Sequence, residues 1–193
     1  MNIHTVFIIL ISASLALGTY GVVVQRGACL MRIDARTTLM AVIWGALELA
    51  AALLGYSVGS RVLLLEMGRE HSTVWVRLIA GMILASIGIR MLCKAFRGRS
   101  FLEHRMENVN LRADALLSLR LCVHGCFAAI ACGLLRCSLA HVLIAAFVIN
   151  TGFAVIGYIT GRVWGVAPSG KAYALGGSLL CALSIALQLV EMV

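Results

Sequence analysis

Residues 45–59 read GALELAAALLGYSVG, and Glu48 is the one charged group in that stretch. A charge at the centre of a bilayer costs roughly 2.5–3.5 kcal/mol on insertion scales, so a carboxylate kept there faces a protein interior and marks a functional position. Three kinds of chemistry fit it: coordinating a translocated cation, cycling a proton, or pairing with an intramembrane arginine. Arg90 and Arg120 are the two arginines inside apolar runs, and they are the candidate charge partners. Each also stands near enough to its helix end to snorkel to the headgroups. A second oxygen donor is Asn150, which precedes Gly157 by seven residues as Glu48 precedes Gly55. A carboxylate and a carboxamide suit a hard divalent cation, so Glu48 and Asn150 are the candidate metal ligands. Ser14, Ser118 and Cys122 are the candidate lining. Cys122 and Cys126 share a helix face at i, i+4 with Ser118 one turn earlier, whereas His124 falls on the face of Arg120.

The elements that must position these groups follow from composition. The chain has 193 residues, 62% hydrophobic and 12% charged, with mean hydropathy +1.01 and a single proline. Soluble domains are about 45–50% apolar and about a quarter charged, so this composition belongs to a bilayer. Six apolar runs, 3–24, 38–60, 74–96, 114–135, 139–161 and 171–191, each approach the length of a transmembrane helix. The expected fold is an all-α integral membrane protein of six transmembrane helices. The first run has no basic residue before it, unlike a signal peptide, and is expected to be a retained helix. Seven cysteines without a CxxC pair read as small apolar residues, not a disulfide framework. No P-loop, Rossmann glycine pattern, HExxH or G-x-S-x-G occurs and no nucleophile–base pair is readable, so the protein is expected not to be an enzyme.

The net charge of +8 fits topology and headgroup contact better than nucleic acid. Counting the ends of run three with the connections beside them, ten Lys and Arg residues, Lys94 among them, fall after runs one, three and five, against four (Arg61, Arg69, Arg77 and Arg136) after runs two and four. The positive-inside rule places the ten in the cytoplasm of a multi-pass plasma-membrane protein, with both termini external. Residues 97–113, RGRSFLEHRMENVNLRA, read as a solvated cytoplasmic linker between halves 1–96 and 114–193. The halves echo each other. LLGYSVGSRV (53–62) matches VIGYITGRV (155–163), with tyrosines 102 residues apart, and SASLAL (12–17) and IAGMIL (79–84) have fainter counterparts in LLSLRL (116–121) and LGGSLL (175–180). Units of three spans must be inverted in the membrane, so a 3+3 inverted repeat of the kind found in transporters is expected.

The segments IWGALELAAALLGYSVG (43–59), IGIRMLCKAFRG (87–98), SLRLCVHG (118–125), GYITGRVWG (157–165) and LGGSLLCALSIALQL (175–189), with the MNI start, carry a further resemblance. The chain resembles the MntP-type manganese efflux proteins, six-helix members of the LysE-like transporter superfamily. The resemblance implies a 3+3 inverted repeat, external termini and Mn2+ export; the expected partners are the lipid bilayer and a small inorganic cation, and no resident cofactor is expected. Glu48 matches a glutamate of the family's second helix, in its G-A-x-E pattern. The family's two Ser-x-Asp motifs read SLA (14–16) and SLR (118–120) in this chain, so Ala16 and Arg120 replace two intramembrane aspartates. Lys94 also stands where the family tends to have an acid. The main expectation is a divalent-cation exporter. The alternative is a diverged member that has lost the metal site and moves another solute or none, with Arg120 in the ion's place and salt-bridged to Glu48.

Overall fold

The computed structural model describes residues 3–30, 34–66, 72–96 and 111–189. They form six helices: α1 (Ile3–Ala28), α2 (Ala35–Glu66), α3 (Ser72–Phe96), α4 (Leu111–Leu134), α5 (Leu139–Trp164) and α6 (Ala167–Leu189). Every one is long and apolar enough to cross a bilayer. The distribution of side chains says the same. Leu54, Met82, Ile144 and Val148 point outward, while Ser14, Glu48, Asp114, Ser118 and Asn150 are buried. Water would reverse that arrangement; lipid tails favour it, because only the polar groups gain by turning inward. The protein is a multi-pass membrane protein.

The helices outrun their apolar cores. α2 has 32 residues, about 48 Å of rise, where the hydropathic run covers 38–60. Its ends carry Arg36 and Arg61, which hydropathy excludes but helix geometry accepts at headgroup level. α6 starts at Ala167 instead of 171, because Pro168 fits a first helical turn, where no backbone N–H is needed. α4 starts at Leu111, inside the expected linker 97–113; residues 97–110 lie outside those described. The α4–α5 turn closes as a Schellman motif. Cys137 N–H donates to the Cys132 carbonyl (3.0 Å) and Arg136 N–H to the Gly133 carbonyl (3.2 Å). Arg136 takes the left-handed conformation there, φ 53°.

Each helix packs chiefly on helices from the other half of the chain: α1 on α5 and α6, α2 on α4 and α5, and α3 on α6, with a looser α3–α4 contact. The GYxxG segments set two of these crossings. A methyl group on Gly59 would strike the Ile130 carbonyl oxygen of α4, and one on Gly161 the Val24 carbonyl oxygen of α1. In return, a methyl on Gly133 would lie 2.7 Å from the Tyr56 carbonyl, and one on Gly27 2.6 Å from the Tyr158 carbonyl. The α2–α4 and α5–α1 pairs thus meet backbone to backbone through the same residues of the motif, as small residues permit in lipid.

Candidate cation-binding site

Glu48 lies near the middle of α2 and is 6% exposed. Opposite it α4 presents Gly125, where a Cβ would overlap the Glu48 carboxylate. The missing side chain lets the carboxylate lie against the α4 backbone. Cys122, one turn earlier on α4, hydrogen-bonds to Glu48, and Ser118 Oγ is 3.9 Å from Cys122 Sγ. On the other flank, Gly45 of α2 admits Thr151 and Phe147 of α5 to close contact. That approach brings Asn150 of α5 beside Glu48. Together with Ser12 of α1 they line a chamber of about 20 Å³, otherwise walled by apolar residues such as Ile11, Ala129 and Val142. About 10–15 Å³ suffices for one water-sized occupant.

A larger cavity of about 420 Å³ adjoins it, with Thr19, Glu48, Arg90, Lys94, His124 and Tyr173 among its lining. It runs from the middle of the bundle toward the end where α3 finishes and α4 begins. The chamber's walls (Ile11, Cys132 and Val142) lie toward the opposite end, near the starts of α1 and α5. Glu48 is common to both spaces and stands between them.

The arrangement offers one carboxylate and neutral oxygens. Among the described residues no group of three His, Cys, Asp or Glu side chains is placed to hold a metal. A hard cation at Glu48 would therefore meet a low ligand charge, which lowers affinity. Weak binding suits a site whose occupant has to leave.

A family described as "Putative manganese efflux pump" matches residues 32–188. The chain belongs to this family. The "Putative manganese efflux pump MntP" of Methylobacillus flagellatus is 25% identical over 183 residues, which cover 93% of this chain and 92% of that protein. No solved structure matches the chain.

Among the residues singled out in the sequence, Glu48 and Asn150 share the chamber, and Glu48 and Arg90 share the large cavity. Arg120 does not join them. It is exposed on α4, lines neither space and makes no ion pair with Glu48. A long cation near the start of α4 reaches outward more cheaply than inward. The picture of Arg120 as a tethered cation in the ion's place is therefore not favoured. Arg90 is also exposed and makes no ion pair with Glu48. Ser14 is fully buried, but its hydroxyl donates to the Leu10 carbonyl (2.7 Å) and its backbone packs on Gly176 of α6. Ser118 is fully buried and reaches Glu48 only through Cys122.

Several site residues escaped the sequence reading: Ser12, Thr19, Gly125 and Tyr173. For two of them a signal existed. Ser12 and Thr19 stand seven residues apart with Leu15 between them, one face of α1 at heptad spacing. Gly125 and Tyr173 carry no such signal, because their roles depend on which helices become neighbours.

Proposed function

We propose that this protein exports Mn2+ across the cytoplasmic membrane, with Glu48 and Asn150 supplying oxygen ligands at the midplane. The observation that carries the reading is the position of Glu48. Among the described residues it is the one acidic residue on both the large cavity and the small chamber, and the chamber adds Asn150 and Ser12. Family membership supports manganese as the cargo, and the similar Methylobacillus flagellatus protein is named as a manganese efflux pump. Arg26, Arg36, Lys94, Arg162 and Lys171 stand toward the end where the large cavity lies, and the positive-inside rule, counted over the sequence, assigns that end to the cytoplasm. Both termini are then external. A cation would enter the cavity, exchange water for the Glu48 carboxylate and Asn150 carbonyl, and leave through the chamber. The like-for-like crossings of α2 with α4 and α5 with α1 support a 3+3 inverted repeat, with 1–96 and 114–193 as its halves.

The test is manganese tolerance of a host lacking its own exporter. Wild-type protein is expected to restore growth in excess Mn2+, and Glu48→Gln at equal membrane abundance is not. Absence of rescue by wild type, or full rescue by Glu48→Gln, sinks the reading.

A further inference from the structure

Two of the seven cysteines meet across a turn. The Schellman motif between α4 and α5 returns the chain so that Cys137 N–H donates to the Cys132 carbonyl (3.0 Å). That bond brings the side chains at its two ends into contact. An apolar pair commonly fills these two positions; this chain puts two free thiols there, and they hydrogen-bond to each other. The turn is also held by α2, where the Tyr56 hydroxyl donates to the Cys137 carbonyl (2.6 Å). Both cysteines are buried, but Arg136 and Ser138 on either side of Cys137 are exposed, so Cys137 lies one layer beneath the surface of the turn. Cys132 lines the small chamber that it shares with Glu48.

Cysteines whose backbones are far apart cannot be bridged without backbone movement. Here the backbone bond already holds the two together, and side-chain rotation is the motion left to make. The two thiols differ in readiness. The hydrogen bond with Cys132 pulls the Cys137 thiol below its ordinary value, against burial, which raises it. The thiolate is the attacking form in disulfide exchange, so Cys137 attacks and Cys132 resolves.

We propose that Cys132 and Cys137 form a redox-active dithiol, which a small-molecule disulfide oxidises to a bond across the α4–α5 turn. The Cys137 thiolate attacks one sulfur of the oxidant, forms a mixed disulfide and releases one thiolate. Cys132 then attacks Cys137 Sγ, forms the Cys132–Cys137 bond and releases the second thiolate. The two thiol protons pass to the released thiolates, and the two electrons leave with the reduced oxidant. The bond fixes the outer wall of the chamber, because Cys132 and Val142 line it from the two sides of the turn. It therefore slows departure of an ion from Glu48. That effect rests on the export reading, in which this end is external and meets oxidants; the bond itself does not.

The experiment uses the full chain, reduced, in phosphatidylcholine liposomes, with 4,4′-dithiodipyridine as the oxidant. Trypsin cuts after Arg136, between the two cysteines. The bond is then read by mass spectrometry as two peptides joined by a disulfide and lighter than their sum by about 2 Da, two hydrogens. Fragmentation places the link at Cys132, and not at Cys122 or Cys126 of the same peptide. The Cys132–Cys137 link is expected in the wild-type protein, a reading that needs no variant to fold. Cys132→Ser is expected to strand a thiopyridyl adduct on Cys137, and Cys137→Ser to leave Cys132 unmodified. No Cys132–Cys137 link in wild type, or a link from Cys137 to Cys122 or Cys126 in its place, overturns the site. An adduct on Cys132 in the Cys137→Ser protein, with none on Cys137 in the Cys132→Ser protein, overturns the order of attack. In the same liposomes, oxidation is expected to cut wild-type Mn2+ flux roughly threefold or more, and dithiothreitol to restore it. Flux through the Cys132→Ser/Cys137→Ser protein is expected to ignore both reagents. Wild-type flux that persists with the link formed, or equal inhibition of the double variant, overturns the role at the chamber. Absence of any flux in the reduced protein removes the export reading and the role together, and leaves the bond standing.

Discussion

At the scale of the residue, Glu48 depends on what α4 omits. A methyl group at Gly125 would occupy the space of the Glu48 carboxylate, so Gly125→Ala must displace either the carboxylate or the helix. Overpacking of this kind costs about 1–3 kcal/mol. The expected outcome is loss of manganese tolerance and a lower unfolding temperature, while Gly152→Ala, where an added Cβ meets nothing within 4 Å, leaves both unchanged. A Gly125→Ala protein with wild-type tolerance would show that the carboxylate is free to lie elsewhere. The partner oxygen gives a prediction of opposite sign. Asn150→Asp puts a second carboxylate in a chamber of about 20 Å³, and ligand charge raises divalent-cation affinity. Mn2+ binding by calorimetry should tighten by roughly tenfold, and flux should fall because the ion leaves more slowly. Unchanged affinity would separate Asn150 from the ion. Glu48 and Asn150 were both legible in the sequence, because a polar group in an apolar run has few reasons to be there. Gly125 was not, since a glycine in a membrane helix has many.

At the scale of the element, hydropathy located all six helices but misplaced several ends, and the errors have one cause. Hydropathy registers the hydrocarbon slab, whereas the backbone keeps helical hydrogen bonds beyond it, so α1 continues through Gln25 and Arg26, and α2 through Arg61 to Glu66. The GYxxG segments were visible as a repeated motif, yet their partners were not. That Gly59 meets Ile130 and Gly161 meets Val24 is a property of the crossing and not of either strip of sequence. The α4–α5 turn carries a prediction at this scale. Arg136 holds φ 53° at the position where a Schellman motif favours glycine. Arg136→Gly should therefore stabilise the turn by up to about 1 kcal/mol, read as a higher unfolding temperature in detergent. A lower temperature would mean that the arginine side chain contributes more than its backbone costs.

At the scale of the whole molecule, membrane residence was legible because it follows from composition summed over the chain. The closure of one half on the other was not, because it depends on contacts between residues far apart in the chain, the glycine crossings and one ion pair among them. Arg26 at the end of α1 lies 3.0 Å, Nε to Oδ1, from Asp114 at the start of α4, with side-chain exposures of 28% and 5%. No local pattern links those two positions. The pair ties the halves together at the end of the bundle where the large cavity lies, and it makes a buried carboxylate tolerable. Removing only the cation strands that carboxylate in an apolar setting, at a cost of about 3 kcal/mol or more for a well-buried group; the partial exposure of Arg26 argues for the lower figure. Arg26→Gln should lower the unfolding temperature markedly, and Asp114→Asn in the same protein should recover most of the loss, because a neutral pair leaves no uncompensated charge. The difference between the double variant and the sum of the singles measures the coupling. A double variant no more stable than Arg26→Gln alone would assign the loss to Arg26 packing, and the two halves would then be held by their glycine crossings without help from charge.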